Sequence, residues 1–510
     1  MRPAEPPVLL PASPAVPKSS TKSVLKAAKT PALAARSSLS DELWTHVFAS
    51  FSLRDLLCAS FVCVRWRRAI LSTPRLWSVI DELSPRAQPG LPTFLKRSRD
   101  LEVDVTLDID LATTADPGSL FQTLALHMHR VRSLSISLAC YEYNHCRFVQ
   151  YVLQEEAPVL RYLRIVSESF LPITPTLFKG NAPRLSEVCL SIYSLPALCP
   201  ALSAVTTFAS CDAGVNAIMV SDARKVFTCC PAVETLHLDA PLRDGASSAL
   251  KKGSLKGSPY VIATIMDPNR PLTTLTVPEF FNSTLPFTLR TLEHESIERI
   301  IIHKVSTETC NFIFKRMAAV EHLTFVRLRG NSHIMAVDAN GRQRIFPGAP
   351  SAALDSLLSS KQFDILEHLT TLAIPDTLDV KDANALFSGA AAQLTALTIL
   401  VGSEYRPWSS SSVFAFVLGP CVGWQFPMLE LLRLSTANPI GMIAPHNPVA
   451  SLPAQDIAAF LHLVLKFTTT IKLPRLVLDG VHLDRLKKSP LIPLTVPELT
   501  SLVKVIDVVS

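Results

Sequence analysis

Behind its first 130 residues the chain repeats one short pattern, apolar-x-x-apolar-x-apolar, often with a proline just ahead, and no other feature limits its fold so severely. The pattern starts at Val131, Leu160, Leu185, Leu202, Val233, Leu272, Ile297, Val320, Leu369, Leu394, Leu429 and Leu473. Leu202 is imperfect, because its third apolar position falls late, at Phe208. Many of the shorter intervals are about 25 residues, the length of one stacked repeat. Strand side chains alternate at period two, so two apolar residues one apart mark a strand with one buried face. The rest of each interval holds a return segment, and units of this kind bury their apolar faces only against their neighbours.

Clear examples run Pro158–Ile165, Pro183–Leu190, Pro231–Leu238 and Pro427–Leu434. Charged residues make up only 18% of the chain, against a usual share of about 25%. A stacked array accounts for that deficit, and disorder throughout is excluded. Leu101–Leu107 alternates at period two as a strand should. The longer intervals must hold insertions. Residues 243–258 and 329–351 are polar with Gly and Ser and read as exposed loops.

Residues 39–77, LSDELWTHVFASFSLRDLLCASFVCVRWRRAILSTPRLW, predict three short helices. Ser40 is a good N-cap, Asp41 and Glu42 place negative charge in the first turn, and Leu39 can staple onto Trp44. Leu43, Val47, Phe48 and Phe51 follow at three- and four-residue steps, giving a single stripe. Ser52 repeats the device with Asp55, while Phe51 and Leu56 form a second staple. A third helix is expected over roughly Val62–Leu71, with Val62, Trp66, Ala69 and Ile70 on one face, and Ser72-Thr73-Pro74 stops it. A bundle of about 40 residues seldom stabilises itself, so its stripe needs another chain or the following domain to bury it.

This segment resembles the F-box family. Leu39, Glu42, Leu43, Val47, Phe48, Phe51, Asp55-Leu56, Val62-Cys63, Arg65, Trp66-Arg67 and Pro74-x-Leu76-Trp77 match it in order and spacing. The resemblance implies binding to the Skp-type adaptor of SCF complexes, which are cullin-RING ubiquitin ligases. The adaptor contacts are then expected at Leu39, Ser40, Glu42, Leu43, Val47, Phe48, Phe51, Leu56, Val62 and Trp66. Where the family usually has proline after the first leucine, this chain has Ser40. The array behind it resembles leucine-rich repeats loosely, since the asparagine after each strand is mostly missing. The expected fold class is α/β, with a three-helix F-box over 37–77, a connecting segment with first strands over 78–130, and an irregular leucine-rich-repeat solenoid with a curved parallel sheet over 131–510.

Other function classes find little support. Glycine is scarce at 16 residues, and no phosphate-binding or nucleophile-elbow motif is present. Arg2, Lys18, Lys22, Lys26, Lys29 and Arg36, against Glu5 alone, account for nearly all of the net charge of +6. The remainder offers no basic face for nucleic acid. Eleven cysteines, an odd number without C-x2-C pairs, read as free thiols in the reducing cytoplasm or nucleus, with no metal and no cofactor. No apolar run approaches the roughly 18 residues a membrane helix needs. Residues 1–36, rich in Ala, Pro, Ser and Lys, read as a disordered tail, because the prolines from Pro3 to Pro17 oppose the helix of a transit peptide.

Residues between the consensus apolar positions of each strand face away from the core. They include Ser133, Ser135, Ser137, Tyr162, Thr324, Thr371 and Leu431. Arg164, Thr235, His237, Asp239, His322 and Arg433 are the candidate target contacts among them. His237 with Asp239 imitates an acid/base pair, but no nucleophile stands in fixed relation to it, so the chain is not expected to be an enzyme. The leading expectation is a substrate-recognition subunit that holds the adaptor by the F-box and a target protein by the solenoid. The competing one is a scaffold or recognition protein whose helices merely cap the array and recruit no ligase.

Overall fold

The computed structural model describes residues 40–83, 88–110, 114, 116–139, 147–167, 171–211, 218–239, 242–243, 272–278, 289, 292–328, 331–349, 367–376, 392–401, 426–436, 450–484 and 497–509. The expected tail over 1–36, Leu39, and the expected loop over 243–258 beyond Arg243 lie outside these residues.

Three helices open the fold: α1 (Asp41–Phe48), α2 (Leu53–Ala59) and α3 (Val64–Ser72). Each start is set by a side chain that satisfies a backbone N–H with no partner inside the helix. The Leu43 N–H donates to Ser40 Oγ at 3.4 Å. The Asp55 N–H donates to Ser52 Oγ at 3.2 Å, and the Ser52 hydroxyl donates in turn to the Asp55 carboxylate at 2.8 Å. The third helix starts at Val64 rather than Val62, because Cys63 is the cap and its Sγ accepts from the Trp66 N–H at 3.5 Å. Val62 is left in the preceding turn. Pro74 then opens a 3-10 helix, Pro74–Trp77.

The chain enters its main sheet at once, with β1 (Val79–Leu83) and β2 (Val103–Asp110) already paired ahead of Val131. β3 (Val131–Ala139), β4 (Tyr162–Ser167), β5 (Glu187–Leu190), β6 (Thr207–Ser210), β7 (Thr235–His237), β8 (Thr274–Pro278) and β9 (Arg299–His303) follow. Each pairs in parallel with the one before it. The later strands are β10 (Val320–Leu328), β11 (Asn331–Asp338), β12 (Gln343–Ala349), β13 (Thr371–Pro375), β14 (Ala396–Leu400), β15 (Leu431–Ser435), β16 (Leu473–Asp479) and β17 (Val503–Val509). β10 and β13 to β17 again form a parallel ladder in chain order. Together they make one sheet of 17 strands among the described residues.

Where the two ladders meet, the described part of 329–351, residues 331–349, corrects the expectation of an exposed loop. They carry an antiparallel hairpin, β11 with β12, that enters the sheet between β9 and β10. Ile334 and Ala336 are fully buried, at period two, and Phe346 faces the same core. At the turn, the buried Asp338 carboxylate accepts from the Asn340 and Arg342 N–H groups, both at 3.0 Å, and from Arg342 Nε at 2.8 Å. Gly341 takes a φ of +78° there, which glycine adopts without a Cβ clash. Polar composition hid a strand pair whose buried residues are few but correctly spaced.

A single row of directly paired residues runs the length of the sheet: Ile80, Val105, Leu134, Leu163, Val188, Phe208, Leu236, Leu275, Ile300, Arg344, Ala336, Leu323, Leu372, Leu397, Leu432, Leu476 and Ile506. Phe208 therefore holds the second apolar position of its unit, and the unit starts at Val205 rather than Leu202. Each aliphatic or aromatic member fully buried contributes about 1.5–3 kcal/mol relative to exposure. Arg344 breaks the row. Its guanidinium donates to the carbonyls of His294, Ile297, Glu298 and Gln343, and burial pushes its pKa down to about 10.

Return helices α4 (Leu91–Arg97), α5 (Pro117–Leu126), α6 (Arg147–Leu153), α7 (Val220–Cys229) and α8 (Thr307–Phe314) add Phe94, Phe121, Val149, Val226 and Ile313 to the same core. The N-terminal helices are seated on its first layer. Trp77 is fully buried, donates from Nε1 to the Ile70 carbonyl at 3.0 Å and stacks on Phe94 at 5.8 Å. The Arg97 guanidinium lies 4.5 Å over the same ring.

Candidate functional site

The stripe expected on α1 divides in two. Positions 44 and 48 share one face and positions 43 and 47 the next, about 100° around the helix. Phe48 is fully buried and sits in an aromatic cluster with Trp44, Phe51 and Trp66, at centroid distances of 5.6, 5.6 and 5.5 Å. Leu56 is buried in the same core. Leu43 and Val47 instead stand 50% and 42% exposed. Phe48 and Leu56 thus hold the three helices together, while Leu43 and Val47 are open to a partner.

Around the turn from α2 to α3, Val62 is 64% exposed, and Phe61 and Val64 beside it reach 76%. Phe61 and Val64 were not among the expected adaptor contacts. Helical periodicity passes over residues in a turn, although the run Phe61-Val62-Cys63-Val64 is apolar enough to have pointed to them. Phe51 and Trp66 are half-buried. Ser40 and Glu42 are exposed at the start of α1, where a hydrogen bond from Ser40 holds the Glu42 carboxyl below its ordinary pKa.

The other candidate surface is the sheet face opposite the apolar row. Ser133, Tyr162, Glu187, Thr207, Thr235 and Thr274 are consecutive partners along it. The next row outward is Ser135, Arg164, Cys189, Ala209, His237 and Thr276. Arg164, Thr235 and His237 thus share one face, and Asp239 follows two residues beyond His237, where its N–H donates to Ser210 Oγ at 2.9 Å. Burial, and secondarily the nearby His303, hold the His237 imidazole below its ordinary pKa.

His322 pairs with Thr371, and Arg433 with Thr398, in the second ladder. Between β7 and β10 lie β8, β9, β12 and β11, five strand spacings or about 24 Å. The structure therefore does not bring the six candidates into one patch. Arg433 is ion-paired to Asp479, which also accepts from the Ser435 hydroxyl at 2.9 Å, and Arg475 pairs with Asp507 at 2.5 Å. These exposed pairs neutralise one another across the last strands, each worth at most about 1 kcal/mol. Among the described residues no group of three His, Cys, Asp or Glu is placed to hold a metal ion, and no helix is long and apolar enough to cross a membrane.

The family model of the F-box domain matches residues 36–78. The chain therefore carries an F-box domain, the class of module that binds Skp-type adaptors in cullin-RING ubiquitin ligases, and this implies a role in adaptor binding. The match spans under a tenth of the 510 residues and speaks for that segment alone. A search of curated proteins finds no match to the chain.

Proposed function

We propose that this chain is the noncatalytic substrate-recognition subunit of an SCF-type cullin-RING ubiquitin ligase. The F-box holds the adaptor through Leu43, Val47, Phe61, Val62 and Val64, the outward face of the sheet holds a target protein, and the ligase partners transfer ubiquitin. The observation that carries this reading is the exposure of those five apolar side chains on a matched F-box. A partner that covers them gains about 1.5–3 kcal/mol for each one fully buried. We read the sheet as an irregular leucine-rich-repeat solenoid, supported by its strand-return-strand order and its advance of one strand per unit. The cytoplasm or nucleus is the compartment proposed, and no cofactor, nucleic acid or membrane is required.

Co-expression with a Skp-type adaptor tests the reading. The parent should retain adaptor through size-exclusion chromatography, and a Leu43→Asp, Val47→Asp variant should bind it at least about tenfold more weakly with an unchanged melting temperature. Both positions are open to water, so their loss costs the fold little. A folded variant that keeps its adaptor refutes the proposal.

A further inference from the structure

One set of side chains on the outward sheet face carries chemistry that neither adaptor nor target binding uses. Cys189 on β5 is half-buried, and Arg164 on β4 is its direct partner in the parallel register, on the same face. Cys211 lies one residue past the end of β6. Its N–H donates to the Leu190 carbonyl at 3.2 Å, and its Sγ donates to the Ile165 carbonyl at 3.1 Å. Since β5 separates β4 from β6, a thiol that leaves β6 and reaches a β4 carbonyl lies across the end of β5, beside Cys189.

Hydrogen bonding with the Cys211 thiol group is the largest influence holding the Cys189 thiol below its ordinary pKa; burial and the Asp239 carboxylate oppose it, and the Arg164 guanidinium adds to it. Three other thiols go the opposite way. Burial pushes up Cys199, Cys229, which reaches about 11, and Cys230, which rises further. A thiolate is the reactive form, and a reachable one with a second thiol next to it is how oxidation-sensitive cysteines are built.

We propose that Cys189 and Cys211 form a peroxide-oxidisable dithiol that closes to a reversible disulfide on the outward face of the sheet. The Cys189 sulfur attacks one oxygen of hydrogen peroxide, the O–O bond breaks, and sulfur is oxidised to a sulfenic acid. The leaving hydroxide takes up the proton lost by the thiol and departs as water. The Cys211 sulfur then attacks the sulfenic sulfur, the S–O bond breaks, and the displaced hydroxide carries off the Cys211 proton as a second water. Two thiols and one peroxide thus give one disulfide and two waters.

Residues two register steps apart on neighbouring strands have Cα atoms about 8 Å apart, and a relaxed disulfide spans up to about 7 Å. The shift of about 1 Å that closure needs falls on Cys211, outside β6. Oxidation also removes the thiol that faces Arg164, so it alters a candidate target contact. That last consequence rests on the proposed target face, whereas the thiol chemistry does not.

The test is peptide mass mapping of the reduced full-length chain after treatment with one to two equivalents of hydrogen peroxide and alkylation of the remaining thiols. The Cys189–Cys211 cross-linked peptide should form at least about fivefold faster than the exposed reference Cys58 is oxidised, and dithiothreitol should reverse it. Cys211→Ser, which keeps a donor for the Ile165 carbonyl, should accumulate a Cys189 sulfenic acid trapped by dimedone. Arg164→Gln should slow the peroxide step at least about threefold. No cross-linked peptide, oxidation of Cys58 as fast as Cys189, or an unchanged rate in Arg164→Gln overturns the proposal. No adaptor or target enters the assay, so failure here leaves the ligase reading standing.

Discussion

His294 makes the stability of the sheet depend on pH in a direction that can be worked out. Its ring is only 4% exposed and stacks on Phe312 at 5.7 Å. Nδ1 lies 3.1 Å from the Leu289 carbonyl, which can only accept, so the proton sits on Nδ1. Nε2 is buried without a partner. Protonating it buries an uncompensated charge, and burial pushes the pKa down to about 4; Arg344 and Arg316 help, and Glu295 opposes. The unfolded chain, with an ordinary histidine near about 6.5, therefore takes up a proton first. This group's contribution to stability is complete above that value and is lost as pH falls toward 4. At about 1.4 kcal/mol per pKa unit the limit is about 3 kcal/mol, of which about 2 kcal/mol falls between pH 7 and 5. Urea midpoints of the parent and of His294→Gln at pH 7, 6 and 5 measure it. The glutamine amide can still donate to Leu289 but does not titrate. If both proteins lose the same stability across that range, the reasoning about the unpartnered nitrogen is wrong.

Three further outcomes are expected. Phe48→Ala should lower the stability of the N-terminal helices by about 3–5 kcal/mol, read by thermal melting, in contrast to the neighbouring Leu43 and Val47, because Phe48 is fully buried and they are not. Trp77→Ala should cost a similar amount and open the F-box to limited proteolysis ahead of β1, since that ring anchors Ile70, Phe94 and Arg97. Gly480→Ala should cost about 1–2 kcal/mol or more in a urea titration. Its φ is +66° and an added methyl would overlap the Thr436 hydroxyl, so adding Thr436→Ala should recover only part of the loss.

What could be read in advance was whatever residues decide over a few positions. Ser40 and Ser52 announce the starts of α1 and α2 because each bonds an N–H three residues away. The apolar spacing found the parallel strands β3 to β10 and β13 to β16 because one face of each is buried in the row, and it passed over β17, whose row residue Ile506 is only half-buried. Three things were hidden. Cys63 caps α3, so the helix starts at Val64 rather than Val62, and a thiol sulfur as cap is not suggested by composition. The stripe on α1 divided because only tertiary contact decides which of two adjacent faces the core takes. The hairpin β11–β12 was masked by polar residues, although Asn340-Gly341 is a turn signal. The candidate target contacts were placed on one face by alternation, but the inserted hairpin that separates them could not be foreseen from spacing.

That hairpin also imposes a condition of phase on the whole sheet. Ala336 opposite Arg344, and Leu323 opposite Ala336, carry the buried row from one ladder to the other. A slip of one residue in the antiparallel pairing would exchange odd and even positions, presenting Met335 and Ile345 to the core row and Ala336 and Arg344 to the opposite face. Every later strand would then be out of step with every earlier one. The three donors gathered on the Asp338 carboxylate hold the turn at one count of residues, so a four-residue corner keeps two distant halves of the molecule facing the same way.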